Sequence, residues 1–335
     1  MRISSKLKNV CSWRSYVSGI FLVSVSLILT GCGTTKVAME VQRPPNLNTT
    51  GIQRIAVMSF EFPESCNDPI CQQAAQYAAN VVVNKIQATN RFTLVKPAII
   101  NNAETKGENI ESYVDAIFKG NITKMEGGVS SQPFPCKKDP PVCYRFYDEV
   151  YVELTYSFVR TRDGATVGPI AKKGGSKADA GKMSKSELVM KAIENSFIDL
   201  HQDVAPYTIT IQRSMEDEPD KNLKPQMEAA LTHYTKNRDI VAARKAYLAI
   251  WESHQSVAAA VNASILYEAM GEIQNAADLM QQVFTATRNP IAKNVLTRLN
   301  EELKKKAEVE QFSGSQNPTK EKEETLPTNE ENNEE

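Results

Sequence analysis

The hydrophobic pattern of this chain changes its period once, and that change predicts two kinds of structure. Before residue 214 the clearest element is a run in which every second side chain is apolar, the pattern of a strand with one buried face. The run consists of Val150, Val152, Leu154, Tyr156 and Phe158. From about residue 225 onward, apolar residues recur at helical spacing instead. The pattern therefore predicts a sheet domain followed by an all-α domain.

Four further strands and two helices are predicted in the first domain. The predicted strands are Arg54–Phe60, Arg91–Val95, Ala116–Ile122 and Tyr207–Ile211. One helix begins near Asp68, which can cap it, and another runs from about Ser184 to Val204. Because strands and helices intermix along the chain, residues 52–213 are predicted to form an α/β domain with a mixed sheet.

The second domain, residues 225–312, is self-similar at a spacing of 34 residues, as Ala229 and Ala263 illustrate. This is the period of the tetratricopeptide (TPR) repeat, in which small residues let paired helices pack closely. The residues that match its signature are Ala230, Ala242, Ser264, Tyr267, Gly271 and Ala276. A charged linker (214–224) precedes the repeats and a capping helix ends them near residue 312. The alternative is a plain bundle of helical hairpins.

The two ends of the chain are predicted to lie outside both domains. Residues 313–335 are rich in Glu, Asn and Lys and lack aromatic residues, which predicts a disordered acidic tail. At the other end, basic residues precede an apolar run, 20–29, that is too short to span a membrane as a helix. This is the organisation of an export signal.

The apolar run ends in Leu29-Thr30-Gly31-Cys32, which resembles the bacterial lipobox. The resemblance implies that residues 1–31 are removed as a signal peptide and that Cys32 carries the lipid anchor, palmitate included; no other cofactor is expected. Gly33, rather than Asp, follows Cys32, which favours the outer membrane by the enterobacterial sorting rule. Residues 32–51 would then be a polar, lipidated tether on a chain that faces the periplasm. An ordinary secreted protein with a chance cysteine is the alternative.

The four remaining cysteines form two close pairs, Cys66 with Cys71 and Cys136 with Cys143. An oxidising periplasm favours disulfides, and four cysteines allow three pairings. The local pairing is favoured because residues close in sequence meet more often. A four-cysteine zinc site is the alternative, although zinc ribbons use shorter spacings. The prediction is therefore two disulfides and no metal.

Several segments of the first domain are similar, in order, to those of the curli-secretion-channel (CsgG-like) lipoproteins and the TolB-type amino-terminal domain. Residues 54–60 resemble their IAVxxF strand, 91–95 their RFxLV strand and 115–122 their ADxxxxGxI strand. Residues 152–164 are similar to their long strand and the turn after it. The resemblance covers about residues 52–213, without the two cysteine-bearing inserts. It implies an envelope assembly or secretion protein with no catalytic residues.

No motif of catalysis or metal binding is found. His201, His233 and His254 belong to no metal-binding pattern, and surface or packing roles are expected for them. Residues 175–183 match a phosphate loop poorly in spacing, so a mobile basic loop is predicted there instead. A formal net charge of −1, from 39 basic and 40 acidic residues, does not suggest a nucleic-acid partner.

The pattern as a whole favours a non-enzymatic outer-membrane lipoprotein that acts as an envelope assembly or docking factor. The helical repeats would bind envelope proteins, the anchor would bind outer-membrane lipid, and a homo-oligomer is compatible with both. Two alternatives stay open: a subunit of a curli-type secretion channel, and a lipoprotein regulator of a cell-wall synthase. A channel needs lipid-facing strands of about 9–11 residues, whereas only 150–158 alternates and the lysine-rich stretch 165–186 cannot face lipid.

Overall fold

The computed structural model describes residues 35–64, 66, 68–137 and 142–314. The predicted signal peptide, Cys32 and the predicted tail from residue 315 lie outside them. The described chain divides into two compact units: the sheet unit, residues 40–211 and 297–314, and the helical unit, residues 35–39 and 212–296. Within the described residues, no helix is both long enough and apolar enough to cross a membrane.

Seven strands are present in the described residues. They are β1 (Lys36–Arg43), β2 (Arg54–Val57), β3 (Thr93–Val95), β4 (Ala116–Pro135), β5 (Val142–Arg160), β6 (Thr166–Asp179) and β7 (Tyr207–Ser214). Five of them form a mixed sheet in the order β3-β2-β4-β5-β6, and β1 pairs with β7 in a separate ribbon. β2 runs parallel to β3 and β4, whereas β4–β5 and β5–β6 are antiparallel. The predicted mixed α/β fold is confirmed.

Where the structure describes the chain, four α-helices and a short 3-10 helix (Ile110–Ser112) lie between the strands. The α-helices are α1 (Pro69–Ala88), α2 (Pro97–Thr105), α3 (Lys185–Ser196) and α4 (Leu200–Val204). α1 begins as predicted, because the Asp68 side chain accepts a hydrogen bond from the Ile70 amide at 3.0 Å. The single helix predicted over 184–204 is wrong, since the chain leaves the helical conformation at Phe197 before α4 begins.

The main core lies between one face of the sheet and helices α1, α3 and α4. The alternating residues of β5 from Val150 to Phe158 all point into it, as their period of two predicts. Phe118 of β4 joins them: its ring centroid lies 5.2 Å from that of Tyr156 and 5.1 Å from that of Phe158. A smaller cluster that includes Ile117 and Ile100 covers the opposite face.

A buried carboxylate ties α4 to the sheet. Asp203 accepts hydrogen bonds from the Tyr156 hydroxyl and from Asn46 Nδ2 at 2.7 Å, and it forms a salt bridge with Lys172 Nζ at 2.6 Å. Burial first, and then the hydrogen bond to Asp203, raise the pKa of Tyr156, so the phenol remains a donor. The carboxylate is therefore buried with enough donors to replace its water.

The mobile basic loop predicted from residue 175 is wrong for residues 175–179, which belong to β6. Two lysines of β6 pair with carboxylates of the neighbouring strand β5: Lys173 Nζ lies 2.8 Å from Glu153 Oε1, and Lys177 Nζ lies 3.6 Å from Glu149 Oε2. Lysine at a sheet edge is a common means of blunting that edge against other strands. The composition that suggested a loop is therefore that of an edge strand.

The prediction of a polar tether over residues 32–51 also differs from the structure. β1 falls inside the stretch 32–51, and its alternate residues Val37, Met39 and Val41 are buried. Its pattern of alternating burial is that of a strand rather than of a polar tether. The linker that follows β7 makes extensive contacts, which are described with the candidate site below.

The helical unit contains α5 (Lys224–Thr235), α6 (Ile240–His254), α7 (Val257–Ala269) and α8 (Ile273–Thr287), and the chain continues into α9 (Pro290–Gly314). Helices adjacent in sequence from α5 to α8 pack against one another. The predicted helical region is confirmed, and its assignment to the TPR family stays a prediction.

Gly174 of β6 permits the close approach of α3. A Cβ atom at this position would lie 2.0 Å from the carbonyl oxygen of Ala192 and 2.7 Å from the amide nitrogen of Ser196. We therefore expect Gly174→Ala to push α3 away and to lower the free energy of unfolding by about 1–3 kcal/mol or more. Urea denaturation followed by circular dichroism measures this change.

The matched control is Gly128→Ala in β4, because a Cβ there would meet no atom within 4 Å. Equal stability of the two variants would contradict the packing of α3 on β6.

Candidate docking site

The six residues predicted to be a TPR signature lie at the contacts and turns of helices α5 to α8. Ala230, Ser264 and Ala276 are fully buried, as small residues between packed helices should be. Ala242 is partly buried, and its amide donates to the side chain of the N-cap residue Asp239 at 2.8 Å. These positions support the helix pairs and offer no group to a ligand.

The remaining two signature residues organise the turn between α7 and α8. Gly271 has a φ of +77°, a conformation that glycine adopts without strain. The Arg244 guanidinium lies over the Tyr267 ring at 4.4 Å from its centroid, and Arg244 Nη1 donates to Glu272 Oε2 at 3.1 Å. This cation–π and ion-pair arrangement fixes α6 against the turn.

Helix α7 is mostly apolar, and besides Ser264, whose hydroxyl donates to the Val261 carbonyl oxygen of the same helix, three buried polar side chains belong to it or to its N-cap. Ser256 is its N-cap, Asn262 lies midway along it and Glu268 lies in its last turn; they are 7%, 1% and 4% exposed. Buried polar groups of this kind require hydrogen-bond partners. The partners come from residues 213–218, which we call the linker segment.

Asn262 holds the backbone of the linker segment with both ends of its amide. The Glu216 amide nitrogen donates to Asn262 Oδ1 at 2.7 Å, and Asn262 Nδ2 donates to the Glu216 carbonyl oxygen at 3.0 Å. Both groups belong to the main chain of residue 216, so the contact does not depend on the glutamate side chain. Asn262 therefore recognises the backbone of an extended segment through a pair of hydrogen bonds.

The two ends of the linker segment are held through side chains. Arg213 Nε donates to Glu268 Oε1 at 3.0 Å, in an ion pair whose carboxylate side is 1% exposed. The Ser256 hydroxyl donates to the Glu218 carboxylate at the amino-terminal end of α7, where the helix dipole also favours a negative charge. One end of the site is thus acidic and the other is suited to an anion.

Between these contacts lies an apolar subsite. Met215 is 5% exposed, and the Tyr247 hydroxyl lies 3.7 Å from its Sδ. Burial raises the pKa of Tyr247 to about 12, so the phenol stays neutral. A pocket of about 240 Å³ opens beside Met215 and is also lined by Met227 and Leu231 of α5.

The linker segment is extended and runs antiparallel to α7. Its contacts begin at Glu268, pass Asn262 and end at Ser256. An extended chain advances about 3.3 Å per residue and a helix about 1.5 Å, so this short segment matches most of the length of α7. The charged linker predicted over residues 214–224 thus begins with residues that are bound along α7, which its composition alone did not indicate.

A second exposed feature is the hairpin of β4 and β5, whose strands pair without interruption from Lys124 and Glu153 to Pro135 and Val142. The strands were predicted to be much shorter. By alternation along β5, Tyr144 and Phe146 lie on the same face as the core residues, yet they are 58% and 55% exposed. The apolar face of the sheet therefore continues beyond its core.

The four cysteines form two local disulfides. Cys66 is bonded to Cys71 in the first turn of α1, with Cα atoms 6.4 Å apart, and Cys136 is bonded to Cys143 across the hairpin, with Cα atoms 5.7 Å apart. This is the local pairing that the short spacings in the sequence favour, and all four cysteines are used in it. In the part of the chain that the structure describes, no group of three or more His, Cys, Asp or Glu residues is arranged to hold a metal ion.

Sequence reasoning missed Ser256, Asn262 and Glu268 as site residues. The signal that could have found them is their occurrence in α7, whose sequence is otherwise almost continuously apolar. Isolated Asn and Glu residues in such a helix indicate a buried polar partner, because unpaired they would destabilise it.

No protein-family model matches this chain, and no curated protein matches it. Among solved structures it is similar to the PelC dodecamer from Paraburkholderia phytofirmans, at 13% identity over 48% of this chain and 95% of that chain, with a TM-score of 0.27. It is also similar to lipoprotein GNA1162 from Neisseria meningitidis, at 12% identity over 41% and 91% of the respective chains, with a TM-score of 0.24.

A third similar structure is a minor lipoprotein from Acinetobacter baumannii, at 7% identity over 45% of this chain and 90% of that chain, with a TM-score of 0.24. Two of these three structures are lipoproteins. At these TM-scores the similarity carries no information on function.

Proposed function

We propose that this protein is a non-enzymatic outer-membrane lipoprotein that docks envelope proteins through a TPR-like helical unit. The observation that supports this function is the linker segment, because the helical unit already holds an extended polypeptide along α7. The same kind of contact with a partner polypeptide would constitute docking.

The chemistry of the site suits recognition of a polypeptide rather than of a small molecule. Both hydrogen bonds from Asn262 to the linker segment go to main-chain atoms, which every polypeptide presents. Glu268 and Ser256 contact side chains at the two ends and would provide selectivity. Extended peptides are commonly recognised in this way, with affinity from the backbone and specificity from side chains.

The proposed cellular location agrees with the cysteine chemistry. Lipid on Cys32 would anchor the chain to the outer membrane, facing the periplasm. The disulfides Cys66–Cys71 and Cys136–Cys143 are of the kind that persists in an oxidising compartment.

Docking by the helical unit can be tested by photo-cross-linking in intact cells. A photoreactive amino acid replaces Glu228, an exposed residue of α5 that lines the pocket beside Met215. We expect a discrete adduct with one or a few envelope proteins, resolved by electrophoresis and identified by mass spectrometry.

The control carries the same photoreactive group at Asp278, an exposed acidic residue of α8. Absence of any discrete adduct at Glu228, or the same adducts at both positions, would contradict docking at this site.

The hairpin favours a second candidate function, a subunit of a curli-type secretion channel. Its outer part carries exposed apolar residues on one face: Val129, Val142, Tyr144 and Phe146. Exposed patches of this kind mark contacts with other proteins or with lipid. The structure thus supplies a longer alternating strand than the sequence indicated, although Asp148 interrupts its apolar face.

A channel requires several copies in one closed assembly. If this candidate is correct, the detergent-extracted full-length chain forms a single multimeric species in mass photometry, and the double variant Tyr144→Ser, Phe146→Ser shifts it to one copy. Tyr151→Ser is the control, because Tyr151 is 55% exposed on the opposite face. A single-copy wild type, or equal loss of assembly in the control, would exclude this candidate.

A further inference from the structure

We infer that the α7 face is a peptide-binding site whose ligand is an extended segment carrying Arg, an apolar residue two positions later and an acidic residue three positions after that. In the structure this ligand is the chain's own linker segment, which occupies the site in cis. The inference rests on the proposed docking function and defines the chemistry of a partner that can replace the segment.

The required pattern follows from the three subsites. Glu268 is buried and its carboxylate is paired with the Arg213 guanidinium, so a basic side chain is favoured at this position of the ligand. The wall around Tyr247 accepts an apolar side chain, here Met215. The hydroxyl of Ser256, at the amino-terminal end of α7, receives the carboxylate of Glu218.

The spacing of the pattern is fixed by the two hydrogen bonds between Asn262 and the backbone of residue 216. Because Asn262 binds both main-chain groups of residue 216, a ligand cannot slide along α7 without breaking two hydrogen bonds. Only one register of the ligand then places its basic residue at Glu268 and its acidic residue at Ser256. A peptide with the two charges exchanged would place like charges together at the Glu268 end.

The linker segment does not fill the whole site. The pocket of about 240 Å³ beside Met215 remains between the segment and α5. A partner with a larger apolar side chain at the Met215 position could occupy this space. Part of the binding surface is therefore unused by the segment.

A tethered segment competes strongly with a free peptide, because its effective concentration is on the order of millimolar. A free peptide should therefore bind the wild-type chain weakly, and releasing the segment should expose the site. The released chain is the full-length protein with Arg213→Ala, Met215→Ser and Glu218→Ala. The probe is a fluorescent synthetic peptide of residues 210–220, TIQRSMEDEPD.

We expect the released chain to bind this peptide about 10- to 100-fold more tightly than wild type in fluorescence anisotropy titrations. The control chain is Ser214→Ala, since Ser214 is an exposed residue of the same segment that does not line the pocket, and this chain should behave like wild type. In the control peptide the residues that correspond to Arg213 and Glu218 are exchanged, and this peptide should not bind.

Equal binding by wild type and a folded released chain, no binding by either, or binding of the charge-exchanged peptide would each overturn the inference. If circular dichroism shows that the triple variant is unfolded, Glu218→Ala alone decides the matter: a gain in peptide affinity supports the inference and no gain overturns it. Peptide binding without an envelope cross-link at Glu228 would refute docking but keep the site. Cross-linking without peptide binding would keep docking and refute this ligand.

Discussion

The helical unit depends on a single requirement, that the buried polar groups of α7 find partners. Ser256, Asn262 and Glu268 lie where water cannot replace a lost hydrogen bond, and an unpaired group there costs about 1–3 kcal/mol or more if charged. The linker segment satisfies all three while leaving a pocket open beside Met215. A region that would otherwise connect two elements thereby becomes part of a binding site.

The sheet unit meets the same requirement in a different way. Asp203 is buried among donors from Tyr156, Asn46 and Lys172, all within its own unit. This network ties α4 to β5 and β6. By contrast, the outer part of the β4–β5 hairpin leaves apolar side chains uncovered. The unit therefore combines a hydrophobic core, in which the buried Asp203 carboxylate is paired, with an apolar face that is left exposed.

Period and capping allowed much of the fold to be predicted from the sequence. The alternation from Val150 to Phe158 and the Asp68 cap of α1 appear as expected, because both are local signals. β6 could not be predicted in this way, because the reasons for its composition lie on other elements. Gly174 is required by the close approach of Ala192 of α3, and Lys173 and Lys177 pair with carboxylates of β5. The candidate site was missed for the same reason: Asn262 and Glu216 are 46 residues apart in sequence, and nothing local to either indicates the other.

The most direct measurement of the central claim is hydrogen exchange at the amide of Glu216, followed by NMR in the full-length protein. If the linker segment is bound along α7, this amide exchanges slowly in the wild type, and Asn262→Ala accelerates it by about tenfold or more. Asn275→Ala, an exposed position on α8, should leave the rate unchanged. Exchange of the wild-type Glu216 amide at the rate of an unstructured peptide would contradict the account.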